Sequence, residues 1–318
     1  MRAKSRAAVA PCSTANLGPG YDVFGLALDA LEDTVEIMAK NDSTGGSARI
    51  LITMHNSELA IPATVESNSA GLVVKKMAHD FGIKDRLEVS VKKGIPAGYG
   101  IGSSAASAAA AAMAFNALYN LKIDMDTMVQ YAAEGEVASA GTKHYDNVSA
   151  SLLGGFVISS LAGNRRNFIK IHPPKDLVLV VAIPFSLSVP ERKTQMARSV
   201  LPKVVSLRDV VHNVASASTI VAGFAMQDVP MIARGIDDVI VEPARKHLIP
   251  AYDSVKQRAL AAGALAVTIS GAGPSMIAFL RTSGKSAKVA EAMAEGYGEE
   301  GIKSRTLVCR PSRGTRLV

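Results

Sequence analysis

The pattern of apolar and polar positions predicts strands and helices that alternate along the chain. Apolar residues recur at every second position, or in short runs, in several stretches, and this pattern is typical of strands. Before residue 95 the predicted strands are Arg6–Ala10, Thr34–Ala39, Arg49–Met54 and Leu87–Lys92. Further along they are Gly154–Leu161, Leu177–Ile183, Leu265–Ile269, Met276–Leu280 and Ser304–Cys309.

Helical spacing of apolar residues predicts helices between these strands. Asn68–Phe81 repeats apolar residues every three or four positions, and Ser104–Leu118 is a run of strong helix formers that opens on a serine. Asp126 is placed to cap a helix over Asp126–Ser139. The remaining predicted helices are Leu207–Met226 and Ala251–Ala262. The mixture predicts an α+β protein, and the order of elements in the second half suits a split βαβ or ferredoxin-like layer.

The length of 318 residues favours two lobes around a shared cleft. After the strand predicted at Gly154–Leu161, the sequence AGNRRNFIKIHPPKD becomes polar, basic and proline-containing. We place the boundary between the lobes there. The prediction is an N-terminal lobe of residues 1–163 and a C-terminal lobe of residues 164–318, an arrangement that suits an enzyme with two substrates.

The charge balance argues for anionic small substrates rather than nucleic acid. Lys and Arg number 35 against 28 Asp and Glu, which gives a net charge of +7. The basic residues are scattered, Trp is absent and aromatic residues are 5% of the chain, whereas nucleic-acid binding surfaces cluster cations and interleave aromatic residues. Most of these charges are interpreted as solvated surface.

Cysteine usage and the N-terminal sequence predict a cytoplasmic protein. Cys12 and Cys309 form no C-x-x-C pair and belong to no Cys/His cluster, so both are expected to be reduced thiols. The apolar run Ala7–Ala10 is too short for a signal peptide and ends at Pro11. The other apolar segments are strand-sized or rich in alanine, so no membrane partner is expected.

The most informative segment is KKGIPAGYGIGSSAASAAAAA, residues 92–112. A predicted strand is followed by glycines at 94, 98, 100 and 102, then by Ser103 and Ser104 and a predicted helix. Glycines let a backbone approach a ligand closely, and a helix N-terminus offers unpaired N–H groups. The segment therefore predicts an anion-binding loop.

Two other phosphate loops and one structural interpretation compete for this segment. A Rossmann loop requires G-x-G-x-x-G with an acidic residue about 20 positions later, and neither is present. Gly284-Lys285-Ser286 resembles the end of a Walker loop, but Phe279 stands where its first glycine is required. A tight strand-to-helix turn that binds nothing is the third interpretation.

Three motifs in the same order resemble the GHMP superfamily of galactokinases, homoserine kinases, mevalonate kinases and phosphomevalonate kinases. PAGYGIGSSAAS, residues 96–107, is similar to the phosphate-binding motif of that superfamily. The other two motifs are Ala10–Leu28 and TISGAGPS, Thr268–Ser275.

Four segments are similar to homoserine kinases in particular. They are Ala10–Leu28, Gly141–Asn147, Thr194–Pro202 and Glu242–Pro250. The resemblance covers nearly the whole chain. It implies an N-terminal lobe like ribosomal protein S5 domain 2, a ferredoxin-like C-terminal lobe and a homodimer.

The activity that the resemblance implies is phosphorylation of the side-chain hydroxyl of L-homoserine in threonine biosynthesis, with ATP as co-substrate and Mg²⁺. A mevalonate kinase or an archaeal-type shikimate kinase is the nearest alternative. A nucleotide-binding protein without catalysis is a more distant one.

The residue types support an amino-acid substrate. Homoserine is a zwitterion, so its ammonium requires carboxylate or amide oxygens and its carboxylate favours a guanidinium fork. By the resemblance, four residues would surround the ammonium and the hydroxyl: Asn16, Asp22, His144 and Asp146. Arg198 and Arg245 would bind the carboxylate, and Thr268 would line the same pocket.

The resemblance also implies a nucleotide site. Its loop residues are Pro96, Ala97, Gly98, Tyr99, Gly100, Ile101, Gly102, Ser103, Ser104 and Ala105. Asn68 and Lys93 would lie near the nucleoside, Ser104 and Glu136 would bind Mg²⁺, and Thr194 would orient the γ-phosphate or the substrate hydroxyl. The identity of a catalytic base is left open.

Each of these residues also has a structural interpretation. Asp22 could be a turn residue, His144 a structural histidine and Arg245 a helix cap. Ser104 could be an N-cap, Glu136 a solvated glutamate and Lys93 a surface charge. The sequence departs from the family at Tyr99, where a small residue is common, and at Tyr145, where alanine is expected.

Overall fold

A computed structural model describes residues 4–40, 48–56, 61–162, 165–188, 190 and 193–318. The strands are β1 (Lys4–Asn16), β2 (Gly20–Lys40), β3 (Arg49–His55), β4 (Arg86–Lys92), β5 (Phe156–Ala162), β6 (Arg165–Ile171), β7 (Val178–Ile183), β8 (Ala266–Ile269), β9 (Met276–Leu280), β10 (Arg305–Cys309) and β11 (Arg316–Leu317). The helices are α1 (Ser69–Asp80), α2 (Ser103–Tyr119), α3 (Met125–Glu134), α4 (Glu136–Ala140), α5 (Asp146–Leu153), α6 (Lys193–Ser199), α7 (Leu207–Ala225), α8 (Val229–Gly235), α9 (Val241–Arg245), α10 (Tyr252–Ala262) and α11 (Ser286–Gly298). In the described ranges, every helix is too short or too polar to cross a membrane.

The N-terminal lobe is built on a sheet in the order β11-β1-β2-β4-β3, with β5 and β6 attached through the first part of β2. The strands predicted at Arg6–Ala10 and Thr34–Ala39 are parts of much longer strands. The prediction stopped early because Pro11 lies within β1. The sheet accommodates it by shifting the pairing register between Pro11 and Cys12, as in a β-bulge.

The C-terminal lobe is a four-stranded antiparallel sheet in the order β10-β7-β9-β8. Numbered within this lobe, the order is 4-1-3-2, which is the ferredoxin-like arrangement predicted from the sequence. Its core includes Val178 and Val180 of β7, Val255 of α10, and Met293 and Tyr297 of α11. The predicted α+β class with two lobes is confirmed.

The strand pairing favours a later boundary between the lobes than residues 163/164. Strand β6 pairs with β5 along its whole length, and the C-terminal strand β11 returns to pair with β1. We therefore propose that the lobes divide after β6, because the basic segment that was interpreted as a connection forms a strand. The chain enters the C-terminal lobe through residues 172–177 and leaves it after β10. These two connections touch, since the Arg310 guanidinium donates to the carbonyl of Lys175 over 2.8 Å.

The helix predicted over Asp126–Ser139 is two helices. Helix α3 begins one residue before Asp126, and its cap is Asp124, whose carboxylate accepts the N–H of Thr127 at 3.0 Å. The helix ends at Gly135, which lies so close to Ala108 of α2 that a Cβ there would approach the Ala108 methyl to 2.7 Å. The break makes Glu136 the first residue of α4.

Helix α2 is the centre of the N-terminal lobe. It packs against β1, β2 and helices α1, α3 and α5, and its alanines are buried on all sides. A helix surrounded by other elements has no polar face, which explains why its sequence lacks an amphipathic pattern. The small side chains let the neighbouring backbones approach it closely.

Both cysteines are free thiols, as predicted, and both are buried. Burial raises the pKa of Cys12 to about 12 and raises that of Cys309 as well. Neither thiol is therefore a reactive thiolate at neutral pH.

A buried ion pair lies against the predicted anion-binding loop of residues 96–105, which is called the phosphate loop from here on. Asp33 of β2 is fully buried, and one of its oxygens accepts the amides of Gly94 and Ile95 at 2.9 and 3.0 Å. The ammonium of Lys93 contacts the Asp33 carboxylate and also donates to the Ser107 hydroxyl and the Ser103 carbonyl, at 2.9 and 3.0 Å. Burial lowers the pKa of Lys93, and the Asp33 carboxylate opposes that shift. The pair connects β2, the end of β4 and the start of α2.

We expect Asp33→Asn to destabilise the protein strongly, because it leaves the Lys93 ammonium buried without a counter-charge. Removing one partner of a buried pair costs about 3–5 kcal/mol. The measurement is the apparent melting temperature, with Glu32→Gln as control. Glu32 is the preceding residue and pairs with Arg316 at the surface, where an ion pair contributes about 0–1 kcal/mol. Equal melting temperatures for the two variants would contradict this prediction.

Candidate active site

The glycines of residues 96–105 are required by the backbone of the loop. Gly98, Gly100 and Gly102 have φ angles of +86°, +79° and +72°, in the left-handed region that favours glycine. A Cβ at Gly100 would also collide with the carbonyl oxygens of Ser270 and Gly273, and one at Gly102 would collide with the Ser13 hydroxyl. The loop is thus closely packed against both lobes.

The carbonyl oxygens of this loop accept hydrogen bonds from the protein. The ammonium groups of Lys193 and Lys93 donate to the carbonyls of Gly98 and Ser103, and the Ser270 hydroxyl donates to that of Gly100. The remaining three carbonyls accept from backbone amides: Tyr99 from Ser275, Ile101 from Ser13 and Gly102 from Ala106. The amides of Gly98, Gly100 and Gly102 have no acceptor among the described residues. A row of free amides at the start of helix α2 is suited to bind phosphate oxygens.

Ser104 and Glu136 meet at the start of helix α2. The Ser104 hydroxyl donates to Glu136 Oε1 over 2.6 Å, and Glu136 is 6% exposed, so it is not a solvated glutamate. Burial raises the pKa of Glu136 to about 7. Over the described ranges, no group of three or more His, Cys, Asp or Glu could hold a metal ion. A cation here would have two protein oxygens and would need further oxygens from a bound nucleotide.

Asn68 and Lys93 make structural contacts. The Asn68 side chain accepts the amide of Gly71 at 3.1 Å, which caps α1, and donates to the Pro62 carbonyl over 2.9 Å. All three hydrogens of the Lys93 ammonium have acceptors below the loop. The surface-charge interpretation of Lys93 is wrong, since the residue is 7% exposed. Asp33, its partner, was missed in the sequence because nothing local distinguishes it from an exposed strand residue.

Both unusual tyrosines contact neighbouring elements. The Tyr99 ring is buried, and its hydroxyl donates to the Phe185 carbonyl of the C-terminal lobe over 3.0 Å. The Tyr145 ring lies 6.0 Å from the ring of Phe168 and 4.3 Å from the Arg166 guanidinium. The two departures from the family pattern therefore add contacts around the site.

Charged residues from distant parts of the chain form a cluster beside the loop. The Arg198 guanidinium in α6 lies 2.7 Å from both oxygens of Asp22, and it contacts His144 Nδ1 at 3.0 Å. Burial, followed by the charge of Arg198, lowers the pKa of His144, so its ring is neutral at neutral pH. Asn16 holds the backbone of Asp22 by accepting its amide at 3.2 Å. The interpretation of Asp22 as a simple turn residue is wrong, although its φ is +58°.

Arg245 lies in the same cluster. It is 3% exposed, and its Nε donates to the Ala197 carbonyl of α6 over 2.9 Å. Tyr21 was not among the predicted site residues, and its ring centroid lies 5.4 Å from the Arg198 guanidinium and 5.0 Å from that of Arg245. The Tyr21 hydroxyl is buried. The aromatic face favours both cations and keeps them near one another.

Asp146 adds a second carboxyl group. It is 5% exposed at the start of α5, and it accepts the amide of Asn147 at 2.7 Å. Burial, and next the charge of Asp22, raise the pKa of Asp146 to about 6. A bound ammonium would favour the ionised form of this carboxyl group.

Thr268 and Glu242 line a small cleft between the lobes, together with Asn16, Arg245 and Gly271. The Thr268 hydroxyl donates to the buried carboxylate of Glu242, which also accepts from Lys256 at 2.7 Å. Glu242 was not among the predicted site residues. Asp238 fixes this region, because its carboxylate accepts the amides of Val241 and Glu242 at the start of α9. Arg245 is the last residue of that helix.

Thr194 lies in the first turn of α6, between Lys193 and the segment that carries Arg198. Its side chain makes no hydrogen bond to the described residues. Of the predicted residues, the structure brings Asn16, Arg245 and Thr268 together at this cleft and joins Asp22, His144 and Arg198 in one charged cluster. Asn68 and Lys93 lie in structural contacts instead.

Comparisons with known proteins agree with this arrangement. The family description "GHMP kinases N terminal domain" matches residues 68–155, and "GHMP kinases C terminal" matches residues 220–299. A homoserine kinase of Thermoplasma volcanium is 39% identical over 98% of this chain and 96% of its own. One of Saccharolobus solfataricus is 36% identical over 96% of both chains.

A solved structure is also similar over the full length. The crystal structure of homoserine kinase from Cytophaga hutchinsonii superposes with a TM-score of 0.90 at 33% identity, over 99% of this chain and 98% of its own. Both lobes and their order are thus shared with these proteins. The chain belongs to the GHMP kinases and, within them, to the homoserine kinase family.

Proposed function

We propose that the protein is an ATP:L-homoserine O-phosphotransferase, which forms O-phospho-L-homoserine and ADP for threonine biosynthesis. The observation that carries the proposal is the pairing of an anion-binding loop with a cleft that holds carboxyl groups and guanidinium groups together. The full-length similarity to homoserine kinases supports it.

In this proposal the cleft binds the two charges of the amino acid. Asp22 and Asp146 attract the ammonium, and Arg198 and Arg245 bind the carboxylate through charge-assisted hydrogen bonds. On binding, Asp22 and Arg198 exchange part of their mutual contact for contacts with the zwitterion. Such binding orients the substrate hydroxyl toward the phosphate loop. Orientation of the reacting groups can lower the activation free energy by roughly 7–11 kcal/mol.

The loop amides of Gly98, Gly100 and Gly102 bind the phosphates of ATP, and Ser104 and Glu136 hold Mg²⁺. A hydroxyl and a carboxylate are hard oxygen ligands, and Mg²⁺ in kinases commonly takes only one or two protein ligands besides phosphates and water. When bound, the cation neutralises phosphate charge. Thr194 orients the γ-phosphate or the substrate hydroxyl.

Mevalonate and shikimate kinases are the alternatives within the superfamily. Their substrates carry a carboxylate but no ammonium, so the buried Asp146 would be left without a cationic partner in the complex, while Asp22 would keep only Arg198. A buried polar group without a partner is costly, which disfavours such substrates.

The homodimer and the cytoplasmic location implied by the sequence resemblance stay predictions. Light scattering on the purified protein would test the dimer.

The first experiment measures ADP release from Mg-ATP with L-homoserine, mevalonate, shikimate, L-serine and galactose. We expect turnover with homoserine and little with the others, because only homoserine combines an ammonium, a carboxylate and a hydroxyl at the correct distance. Turnover with mevalonate or shikimate alone would contradict the proposed ammonium site. No turnover with any acceptor would favour a non-catalytic nucleotide-binding protein.

Arg198→Ala should raise the KM for homoserine more than it lowers kcat. Hydrogen bonds to charged groups contribute about 1.5–3 kcal/mol, which corresponds to a KM increase of roughly 10–150-fold. Arg245→Ala should act in the same direction. Steady-state kinetics measure both variants, with Arg234→Ala, an exposed residue of α8, as control. An unchanged KM in both Arg198→Ala and Arg245→Ala would refute the assignment of the carboxylate site.

Glu136→Gln and Ser104→Ala should lower kcat by roughly 100-fold or more and raise the Mg²⁺ concentration needed for half-maximal rate, while homoserine binding changes little. The measurement is the initial rate as a function of Mg²⁺. Glu134→Gln is a matched control, because Glu134 lies two residues away and pairs with Lys143 at the surface. A Mg²⁺ requirement equal to that of the wild type would argue against these two ligands.

A further inference from the structure

Helix α6 places the side chain of an additional lysine against the phosphate loop. The ammonium of Lys193, its first residue, donates to the carbonyl of Gly98 over 2.6 Å and contacts the carbonyl of Gly273. Gly98 belongs to the phosphate loop, and Gly273 belongs to the glycine-rich segment of the C-terminal lobe. The ammonium therefore lies where these two segments meet, one residue before Thr194.

The other cations near the loop already have partners. Lys93 is bound to Asp33 below the loop, and Arg198 is bound to Asp22. Arg245 donates to the carbonyls of Ala197 and Gly271, and it is already assigned to the substrate carboxylate in the proposed function. Lys193 takes part in no ion pair with the described residues. Its contacts are the carbonyl groups of Gly98 and Gly273, so among the described residues no carboxylate balances its positive charge.

Phosphoryl transfer from ATP needs positive charge close to the reacting phosphate. Negative charge is spread over the oxygens of the transferred group and builds on the leaving oxygen, and cations placed there beforehand stabilise it. An ammonium between two carbonyls can exchange one weak acceptor for a phosphate oxygen without leaving its position. Burial and the charge of Arg245 lower the pKa of Lys193 to about 7. The carbonyl contacts oppose that shift, and a phosphate anion would oppose it further.

We propose that Lys193 is a catalytic residue that binds the γ-phosphate of ATP and stabilises its transfer. The inference rests on the proposed function. In the step, the homoserine hydroxyl oxygen forms a bond to Pγ, and the bond from Pγ to the β–γ bridging oxygen breaks with its electron pair going to ADP. The hydroxyl proton is released to solvent. Lys193 stays protonated and moves its hydrogen bond from the Gly98 carbonyl to a γ-phosphate oxygen.

The kinetic test uses Lys193→Met, Lys193→Arg, Lys193→Ala and a control, Lys203→Met, in an exposed segment after the same helix. We expect Lys193→Met to lower kcat by roughly 100-fold or more, as loss of one preorganised electrostatic donor does, with the KM for homoserine within about threefold of wild type. Lys193→Arg retains more activity because it keeps the charge. Methylammonium or ethylammonium in the buffer partly restores Lys193→Ala.

The binding test separates this role from a structural one. It compares ADP with an ATP analogue that has a methylene group between the β and γ phosphorus atoms. A contact with the γ-phosphate predicts that Lys193→Met weakens binding of the analogue by roughly tenfold or more, while ADP binding changes by less than about threefold. Lys203→Met should change neither.

The outcomes distinguish failure of the inference from failure of the proposed function. If the wild type phosphorylates homoserine and Lys193→Met keeps a kcat within about threefold, only the inference is overturned. Equal loss of ADP and analogue binding, together with a lower melting temperature and no rescue by amines, would assign Lys193 to holding the lobes together and would also overturn it. If the wild type is inactive with homoserine, the proposed function fails, and selective loss of analogue binding still supports the γ-phosphate contact.

Discussion

The orientation of the phosphate-loop backbone depends on a hydrogen-bond donor for each carbonyl oxygen from Gly98 to Ser103. A buried carbonyl without a donor is costly, so the peptide groups turn their oxygens toward these donors, while the amides of Gly98, Gly100 and Gly102 have no acceptor among the described residues. Three of the donors, Lys193, Ser270 and Ser275, come from the C-terminal lobe. The phosphate binding proposed for this loop therefore depends on both lobes together, and the glycines alone would not create it.

The parts of this arrangement that rest on local signals could be predicted from the sequence. The alternating glycines permit the positive φ angles that the loop adopts, and the run after Ser104 predicts a helix, so the anion-binding loop follows from adjacent residues. The substrate cleft does not follow in this way. Asp22 and Arg198 are 176 positions apart, and their proximity was expected only from the resemblance to homoserine kinases. That the side chains converge is now observed, while their roles toward the substrate are still proposals.

Several features could not be predicted because a distant partner determines them. Asp33 is buried because Lys93, 60 positions later, and two loop amides surround it. Residues 165–171 look like a polar connection, yet they form β6 because β5 supplies an edge to pair with. Asp124 and Asp126 are both plausible caps, and contact of Gly135 with α2 decides where α3 ends. In each case the polar composition of the segment suggests an exposed loop or surface position, but pairing or packing with a distant part of the chain determines the observed structure.

The return of the C-terminal strand to the first sheet has a consequence for motion. Because β11 pairs with β1, the C-terminal lobe is an insertion, joined to the rest by two chain segments that lie side by side at the Arg310–Lys175 contact. These segments do not make a free hinge, because the apolar core continues across the lobes and the rings of Phe156 in β5 and Phe224 in α7 stack at 4.0 Å between centroids. The C-terminal lobe is thus fixed both at its two connections and along a shared core, which disfavours a swing of one lobe against the other as rigid bodies.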